Sequence, residues 1–368
     1  MSAPRTSTRR NLLLAGGALV LAGAVAATHK YRELQRSAYT RERAVPLQTP
    51  QIVGSIGRMP LRAFGATGLQ VSEVAFGAWA IGGRAYGSVD SDESLRALAR
   101  AEELGCNLVD TALVYGDSEL VLGGFLKGRR SRWIVASKYS FQSAGMTATL
   151  EAQLKRLQTE ALDFYQLHSL PRGHDAYEEL FRLKKAGKVR FVGASVYSAR
   201  NLDEAIEVGL DGVQVPFSLL EPYPFELRRE RLRQSGMAVL VRSSLREGFL
   251  TGKFTRDSKF PDPNDQRHDW SRAQIAHTVD EVERFRFLEA SAGSMVRAAV
   301  AYPLSFPEVS AVLLGTKNAA QASINFGAIP GARLDGASLE RILAVQEAID
   351  AGQQRGLRAT VRRLLGHT

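Results

Sequence analysis

Eight short runs rich in β-branched residues recur along this chain, and their spacing constrains the fold more than any other feature. They begin near Val74, Asn107, Trp133, Asp163, Arg190, Gly212, Ala238 and Ser310, most of them about 22 to 33 residues apart. That interval is the length of one strand, a loop and a returning helix. The intervening segments carry helical signals. Asp90-Ser91-Asp92-Glu93 reads as an N-cap with Glu93 reaching back; Leu98, Ala101 and Leu104 then share one face, and Gly105 provides the stop. Amphipathic stretches cover roughly 146–158, 175–186, 201–209 and 225–235. Eight such units predict an α/β fold, a closed (β/α)8 TIM barrel with extra loops and C-terminal helices, over residues 61–368. A doubly wound open sheet is the competing arrangement. No Gly-x-Gly-x-x-Gly fingerprint opens the first βα turn, which counts against the dinucleotide-binding version of that sheet.

In a barrel the working face lies at the carboxyl ends of the strands, and polar residues stand at several of those ends. Asn107-Leu108-Val109 ends at Asp110, with Tyr115 following; Trp133 to Ser137 ends at Lys138; Asp163 to Leu167 ends at His168. Each has an ordinary reading by itself: a turn-closing carboxylate, a packed phenol, a solvated amine, a core imidazole. Converging on one mouth, an acid, a phenol, an amine and an imidazole form a proton-transfer apparatus.

Around these residues the chain resembles an aldo-keto reductase from about Pro60 to Asn325. The resemblance is carried by Phe64-Gly65-Ala66-Thr67-Gly68-Leu69-Gln70-Val71-Ser72, Phe76-Gly77-Ala78-Trp79, Val109 to Glu119, Ser137-Lys138-Tyr139, Asp163 to His168, Gly193-Ala194-Ser195 and Val213-Gln214-Val215-Pro216, in that order. It implies hydride transfer between a nicotinamide cofactor and a carbonyl, with Tyr115, Asp110, Lys138 and His168 as the catalytic set. Tyr115 is then the general acid. A free phenol titrates near about 10, and a neighbouring ammonium, Lys138, favours its ionised form. Asp110 pairs with Lys138, and His168 orients the carbonyl oxygen.

The resemblance also implies a cofactor cradle of Ala78, Trp79, Ser195, Gln214, Arg242, Ser243, Gly315, Thr316, Lys317, Gln321 and Asn325, and a substrate pocket that includes Trp79, Tyr86 and Tyr139. Ser195 and Gln214 match the residues that hold the carboxamide. The chain departs from the family at Val196, where an Asn is usual, and at Arg242, where an aromatic stacks on the ring in many members. A guanidinium plane can also stack there. Lys317 is the candidate for a 2′-phosphate contact, so NADP(H) is expected over NAD(H), although the Arg often found at position 321 is Gln here. The implied partner is a small carbonyl or sugar. The same apparatus could run as an NAD-linked sugar dehydrogenase, or the barrel could hold a cofactor as a regulatory subunit. The polar segment 256–272 reads as a lid or a surface loop.

Residues 1–27 join Arg9-Arg10 to an apolar run of about 16 residues, shorter than the roughly 20 a membrane span needs. The pattern resembles a twin-arginine export signal, with Ala24-Val25-Ala26 as a cleavage site. It leads to a periplasmic or exported protein; an uncleaved membrane anchor and a cytoplasmic protein are the alternatives. Residues 28–60 read as a basic linker. Nine Lys and Arg against two Glu lie in residues 1–60, so most of the net +10 belongs there and the body is near neutral. High overall charge therefore gives no argument for nucleic acid binding. One cysteine, Cys106, excludes an intramolecular disulfide, and no metal-ligand spacing is present.

Overall fold

The computed structural model describes residues 50–364 apart from Arg84, 142–144 and Arg172, with the backbone alone beyond Gly352. Leu47–Glu340 form one compact unit, and the chain from Arg341 onward belongs to a second. The leader assigned to residues 1–27 lies outside the described residues, as does most of the linker. The part of the expected linker that is described, from residue 50, includes regular structure. Strands β1 (Gly54–Ile56), β2 (Met59–Ala63) and β3 (Gln70–Ser72) form an antiparallel meander that begins inside the predicted 28–60 segment. These strands are too short to show a clear alternation.

Eight parallel strands follow: β4 (Val74–Gly77), β5 (Leu108–Asp110), β6 (Ile134–Tyr139), β7 (Leu162–Leu167), β8 (Val189–Ser195), β9 (Gly212–Pro216), β10 (Ala238–Arg242) and β11 (Ala311–Gly315). They close into a barrel in chain order, with β11 pairing back onto β4 through Leu313↔Ala75 and Gly315↔Gly77. The open sheet is excluded. Every residue of β7 and of β9 is buried, as expected where helices cover the outer face and side chains fill the interior.

The meander closes the amino-terminal end of the barrel. Phe64 and Val71 pack among Ala75, Leu108, Ala136, Phe164, Ala238 and Ala311, and the Phe64 ring meets Phe164 edge-on at 5.1 Å. Burying a ring of this size contributes about 1.5–3 kcal/mol. Gly65 makes that approach possible: it holds φ +54°, and a Cβ there would run into the backbone at Ala238. The meander thus packs against the end of the barrel opposite the carboxyl ends of the strands.

The helices fall where the periodicity places them: Ser91–Glu103, Met146–Leu157, Asp175–Lys185, Ala199–Val208 and Phe225–Ser235. Asp90 caps the first by accepting from the Glu93 backbone N–H at 2.9 Å. The Glu93 carboxylate does not reach back. It turns forward to Arg96, where a charge-assisted contact at 2.7 Å replaces a neutral one. Among the described residues, no helix is long and apolar enough to cross a membrane.

Candidate active site

All four predicted catalytic residues stand at the mouth. Asp110 is the last residue of β5, Lys138 lies one residue from the end of β6, and His168 directly follows β7. Tyr115 is carried on the loop between β5 and the helix Ser118–Leu126. The Lys138 ammonium is fully buried. Nζ donates to Asp110 Oδ2 at 2.5 Å, to the Thr111 carbonyl at 2.9 Å and to Tyr115 Oη at 3.2 Å, which uses all three of its protons. Asp110 Oδ1 accepts from Gln166 Nε2 at 2.9 Å and Gln214 Nε2 at 3.0 Å. The His168 ring meets the Tyr115 ring edge-on at 5.8 Å, and Trp79 stacks over Tyr115 at 6.0 Å.

The Tyr115 loop is held from its far side by direct backbone packing. A Cβ on Gly82 would collide with the Tyr115 carbonyl, and one on Gly116, which holds φ +59°, would collide with the Gly82 carbonyl. Glycine at both positions lets two backbone segments touch, and it fixes where the phenol points.

Burial and charge set the protonation states. Burial pushes the Tyr115 phenol above its ordinary value, and Lys138 pulls it only part of the way back. The lowering by Lys138 expected from the sequence is present, but desolvation is the larger effect. The phenol is therefore protonated at neutral pH. Burial works against the charge on Lys138, yet Asp110 and then Tyr115 outweigh it and hold the amine above the ordinary lysine range. Burial, then Lys138, lower His168 to about 4, with Asp110 opposing. The imidazole is neutral and can donate one hydrogen bond without carrying charge.

Most of the residues expected to hold the cofactor lie at or just past the other strand ends. Ser195 ends β8 and pairs in register with Gln214 on β9; Arg242 ends β10, Gly315 ends β11, and Ala78 and Trp79 follow β4. Together with Asp110, Lys138 and His168, seven of the eight strands contribute within one or two residues of their carboxyl ends, and β9 contributes from its middle, at Gln214. Gln214 faces Asp110 rather than standing free, so its amide links the acid to the cradle. Ser243 adopts φ +58°, opening a loop in which Arg246 and Glu247 are also left-handed. Thr316 is buried and accepts from Asn325 Nδ2 at 2.9 Å. Gln321 turns inward, accepting from the Lys317 backbone N–H at 2.8 Å.

The residues present fit a nicotinamide dinucleotide. Among the described residues, six buried side-chain polar atoms make no hydrogen bond, and five of them lie on the strands and loops of this mouth: Gln166 Oε1, Arg242 Nε, Ser244 Oγ, Gln266 Nε2 and Glu247 Oε2, the last with only Arg246 Nε nearby at 3.7 Å. Buried donors and acceptors are rarely left unpaired without a ligand to meet them.

Two of the three pocket residues differ in placement from a simple lining. Tyr86 stands between Trp79, at 5.8 Å, and the guanidinium of Arg267, at 5.1 Å. Tyr139 is buried and packs edge-on against the exposed Phe141. The segment 256–272 is a largely exposed surface loop anchored at the buried Asp265 and Arg267. Arg267 is buried, paired with Asp265 at 2.6 Å and set over the rings of Phe260, Tyr86 and Phe254. Backbone bonds from Gly87 to Asn264 and from Gln266 to Ala85 tie it across the mouth.

Sequence reasoning missed two residues. Gln166 shares the inward face of β7 with Phe164 and His168 by the period of two, a signal that was present. Tyr197 follows the departure at Val196. Its ring lies 4.4 Å from the Arg242 guanidinium, it is 57% exposed, and its phenol adds to the effects that raise Tyr115.

A closed barrel with a phenol, an ammonium, a carboxylate and a neutral imidazole gathered at one mouth is the architecture of a carbonyl-reducing oxidoreductase. The model of the Aldo/keto reductase family matches residues 73–347, and the chain belongs to that family. It is 29% identical over 278 residues to aldo-keto reductase YhdN of Bacillus subtilis (strain 168), covering 69% of this chain and 84% of that protein. It is 27% identical over 325 residues to L-galactose dehydrogenase of Arabidopsis thaliana, covering 80% and 95%. The solved structure of glycerol dehydrogenase AKR11B4 from Gluconobacter oxydans matches with a TM-score of 0.66 at 26% identity, covering 79% of this chain and 95% of that one. The protein is an NAD(P)H-dependent oxidoreductase of small carbonyl compounds.

Proposed function

We propose that the protein reduces aldehydes or ketones to alcohols with Tyr115 as the proton donor. The observation that carries this is the Lys138 ammonium, bonded at once to Asp110 and to the Tyr115 hydroxyl within a buried site. A bound reduced nicotinamide would supply the hydride to the carbonyl carbon. As the π electrons move onto the oxygen, Tyr115 releases its proton to it, and the alcohol forms. Lys138 then stabilises the phenolate left behind until it is reprotonated from solvent. Neutral His168 donates to the same oxygen and holds the carbonyl in line. Trp79, stacked over Tyr115, keeps water from one side of the phenol.

NADP(H) is favoured over NAD(H) through Lys317. Its ammonium donates to the Tyr86 carbonyl beside Asp265, at the end of β11 where the adenosine is expected. Gln321 is turned onto the backbone, so the preference rests on this one lysine. Oxidation is a second reading, favoured by relatives named as dehydrogenases of a sugar and of glycerol. The same residues would serve, with the Tyr115 phenolate accepting a proton. The Arg9-Arg10 pair before an apolar run supports export of the folded, cofactor-loaded chain to the periplasm.

The test is Tyr115→Phe in the full chain. Cofactor affinity stays within about twofold of wild type, and carbonyl-dependent turnover falls by about 10²–10⁴-fold, the usual contribution of a general acid. Near-wild-type turnover would exclude Tyr115 as the donor.

A further inference from the structure

On the side of the barrel wall away from the mouth, Lys138 and the Tyr115 loop end on a second polar cluster that the reaction itself does not use. Glu119, in the first turn of the helix Ser118–Leu126, is fully buried. Its Oε1 accepts from Ser137 Oγ and from Gln153 Nε2, each at 2.9 Å, and its Oε2 from Arg156 Nε at 3.2 Å. Gln153, also buried, is the branch point. Its Nε2 reaches Ser137 Oγ at 2.8 Å and the Lys138 carbonyl at 3.0 Å, and its Oε1 accepts from Tyr165 Oη at 2.9 Å. Arg156 extends past Glu119, and its Nη2 donates to the Gly116 carbonyl at 2.8 Å. The cluster therefore terminates on two backbone carbonyls, one belonging to Lys138 and the other to the residue directly after Tyr115.

Helix packing alone does not call for this arrangement. Desolvating a carboxylate and part of a guanidinium is costly, and apolar side chains of similar volume would join the same faces at least as well. Burial pushes the Glu119 carboxyl above its usual range, with Gln153, Ser137 and Arg156 pulling it back. Such a cluster contributes geometry. Lys138 sits on a barrel strand, whereas Tyr115 sits on a loop, so the 3.2 Å contact between them depends on how loop and strand are joined. The near end of the loop is closed by Thr111 Oγ1 and Ser118 Oγ at 2.7 Å. The Gly82 backbone presses on one side, and Arg156 holds Gly116 from another.

We infer that Glu119, Gln153 and Arg156 are positioning residues, which lock the Tyr115 loop to the Lys138 strand and so set the distance between phenol and ammonium. The role rests on Tyr115 being the proton donor.

Arg156→Met and Tyr115→Phe are compared in the full chain by steady-state kinetics and cofactor titration. Arg156→Met keeps its KM and its cofactor affinity within about twofold. Its kcat falls by about ten- to a hundredfold, the scale of a displacement near 1 Å in an active site. The basic limb of its kcat/KM profile moves to higher pH, because Lys138 no longer stabilises the phenolate as well. Arg156→Lys, which keeps the charge beside Glu119, recovers part of the loss. Wild-type kcat and an unshifted profile in Arg156→Met, with Tyr115→Phe inactive, overturn the positioning role alone. An active Tyr115→Phe overturns both the donor and the positioning role. If Arg156→Met does not fold, Glu119→Gln and Arg156→Lys give the same readout: a loss in kcat at constant KM supports the role, and a wild-type profile overturns it.

Discussion

Removing either partner of the Asp110–Lys138 pair should destabilise the barrel, whereas removing both should not, and neither change should leave an active enzyme. The two side chains are 5% and 0% exposed, and the charges stand 2.5 Å apart. At an effective dielectric near 20 their attraction is about 6–7 kcal/mol, much of it offset by desolvation. Lys138→Met leaves the carboxylate buried with only two neutral amides, Gln166 and Gln214, on Oδ1. Asp110→Asn leaves the ammonium with the Thr111 carbonyl and the Tyr115 hydroxyl. Each single change is expected to cost about 3–5 kcal/mol. Asp110→Asn falls at the lower end, because an amide oxygen can still accept one bond from the ammonium. In the double variant no charge is stranded, and stability returns to within about 2 kcal/mol of wild type, a coupling of about 3 kcal/mol or more. Urea unfolding followed by circular dichroism gives the stabilities, and NADPH oxidation gives the turnover. All three variants lose about a hundredfold or more in turnover. If the single costs simply add in the double variant to within about 0.5 kcal/mol, the two charges are not coupled and the argument is refuted.

Three other predictions follow from the same geometry. His168 is held near 4 when folded, below its value of about 6.5 unfolded, so the unfolded chain binds the extra proton between those limits. Wild type should therefore lose stability relative to His168→Gln as pH falls from about 6.5 toward 4; a constant difference across that window would show that the imidazole is not buried neutral. Gly82→Ala should displace the Tyr115 carbonyl and reduce turnover by about tenfold or more with little change in cofactor affinity, read from kcat against the cofactor dissociation constant. Lys317→Met should weaken NADPH binding by about tenfold while leaving NADH unchanged, measured by quenching of tryptophan fluorescence; equal effects on both would remove the lysine from the 2′-phosphate.

The barrel was legible in the sequence because its strands are buried on both faces and stand out as apolar runs. Val74, Gly212 and Ala238 begin β4, β9 and β10, and the other five predicted starts fall within one residue of the observed ones. The meander β1–β3 was not legible, since strands of three to five residues around Gly57 carry too little pattern. Of the four residues proposed as catalytic, Asp110, Lys138 and His168 were readable because each sits at or next to a strand end, which implies a shared mouth, whereas Tyr115, on the loop after β5, was readable through the family motif around it. Closure of the segment 256–272 over Tyr86 was not. It depends on Arg267 meeting rings from two other parts of the chain, and on backbone bonds to residues 85–87. The link from Glu119 to Arg156 spans 37 residues, and only the packing of two outer helices brings them together.

The most direct test of the central claim follows the hydride itself. The full chain is incubated with NADPH deuterated at the transferable C4 position and a panel of aldehydes and ketones, and the alcohol is analysed by mass spectrometry for wild type and Tyr115→Phe. Wild type should place one deuterium on the former carbonyl carbon, and Tyr115→Phe should form product at least about a hundredfold more slowly. Alcohol without deuterium, or labelled alcohol formed at the same rate by both proteins, would contradict the account.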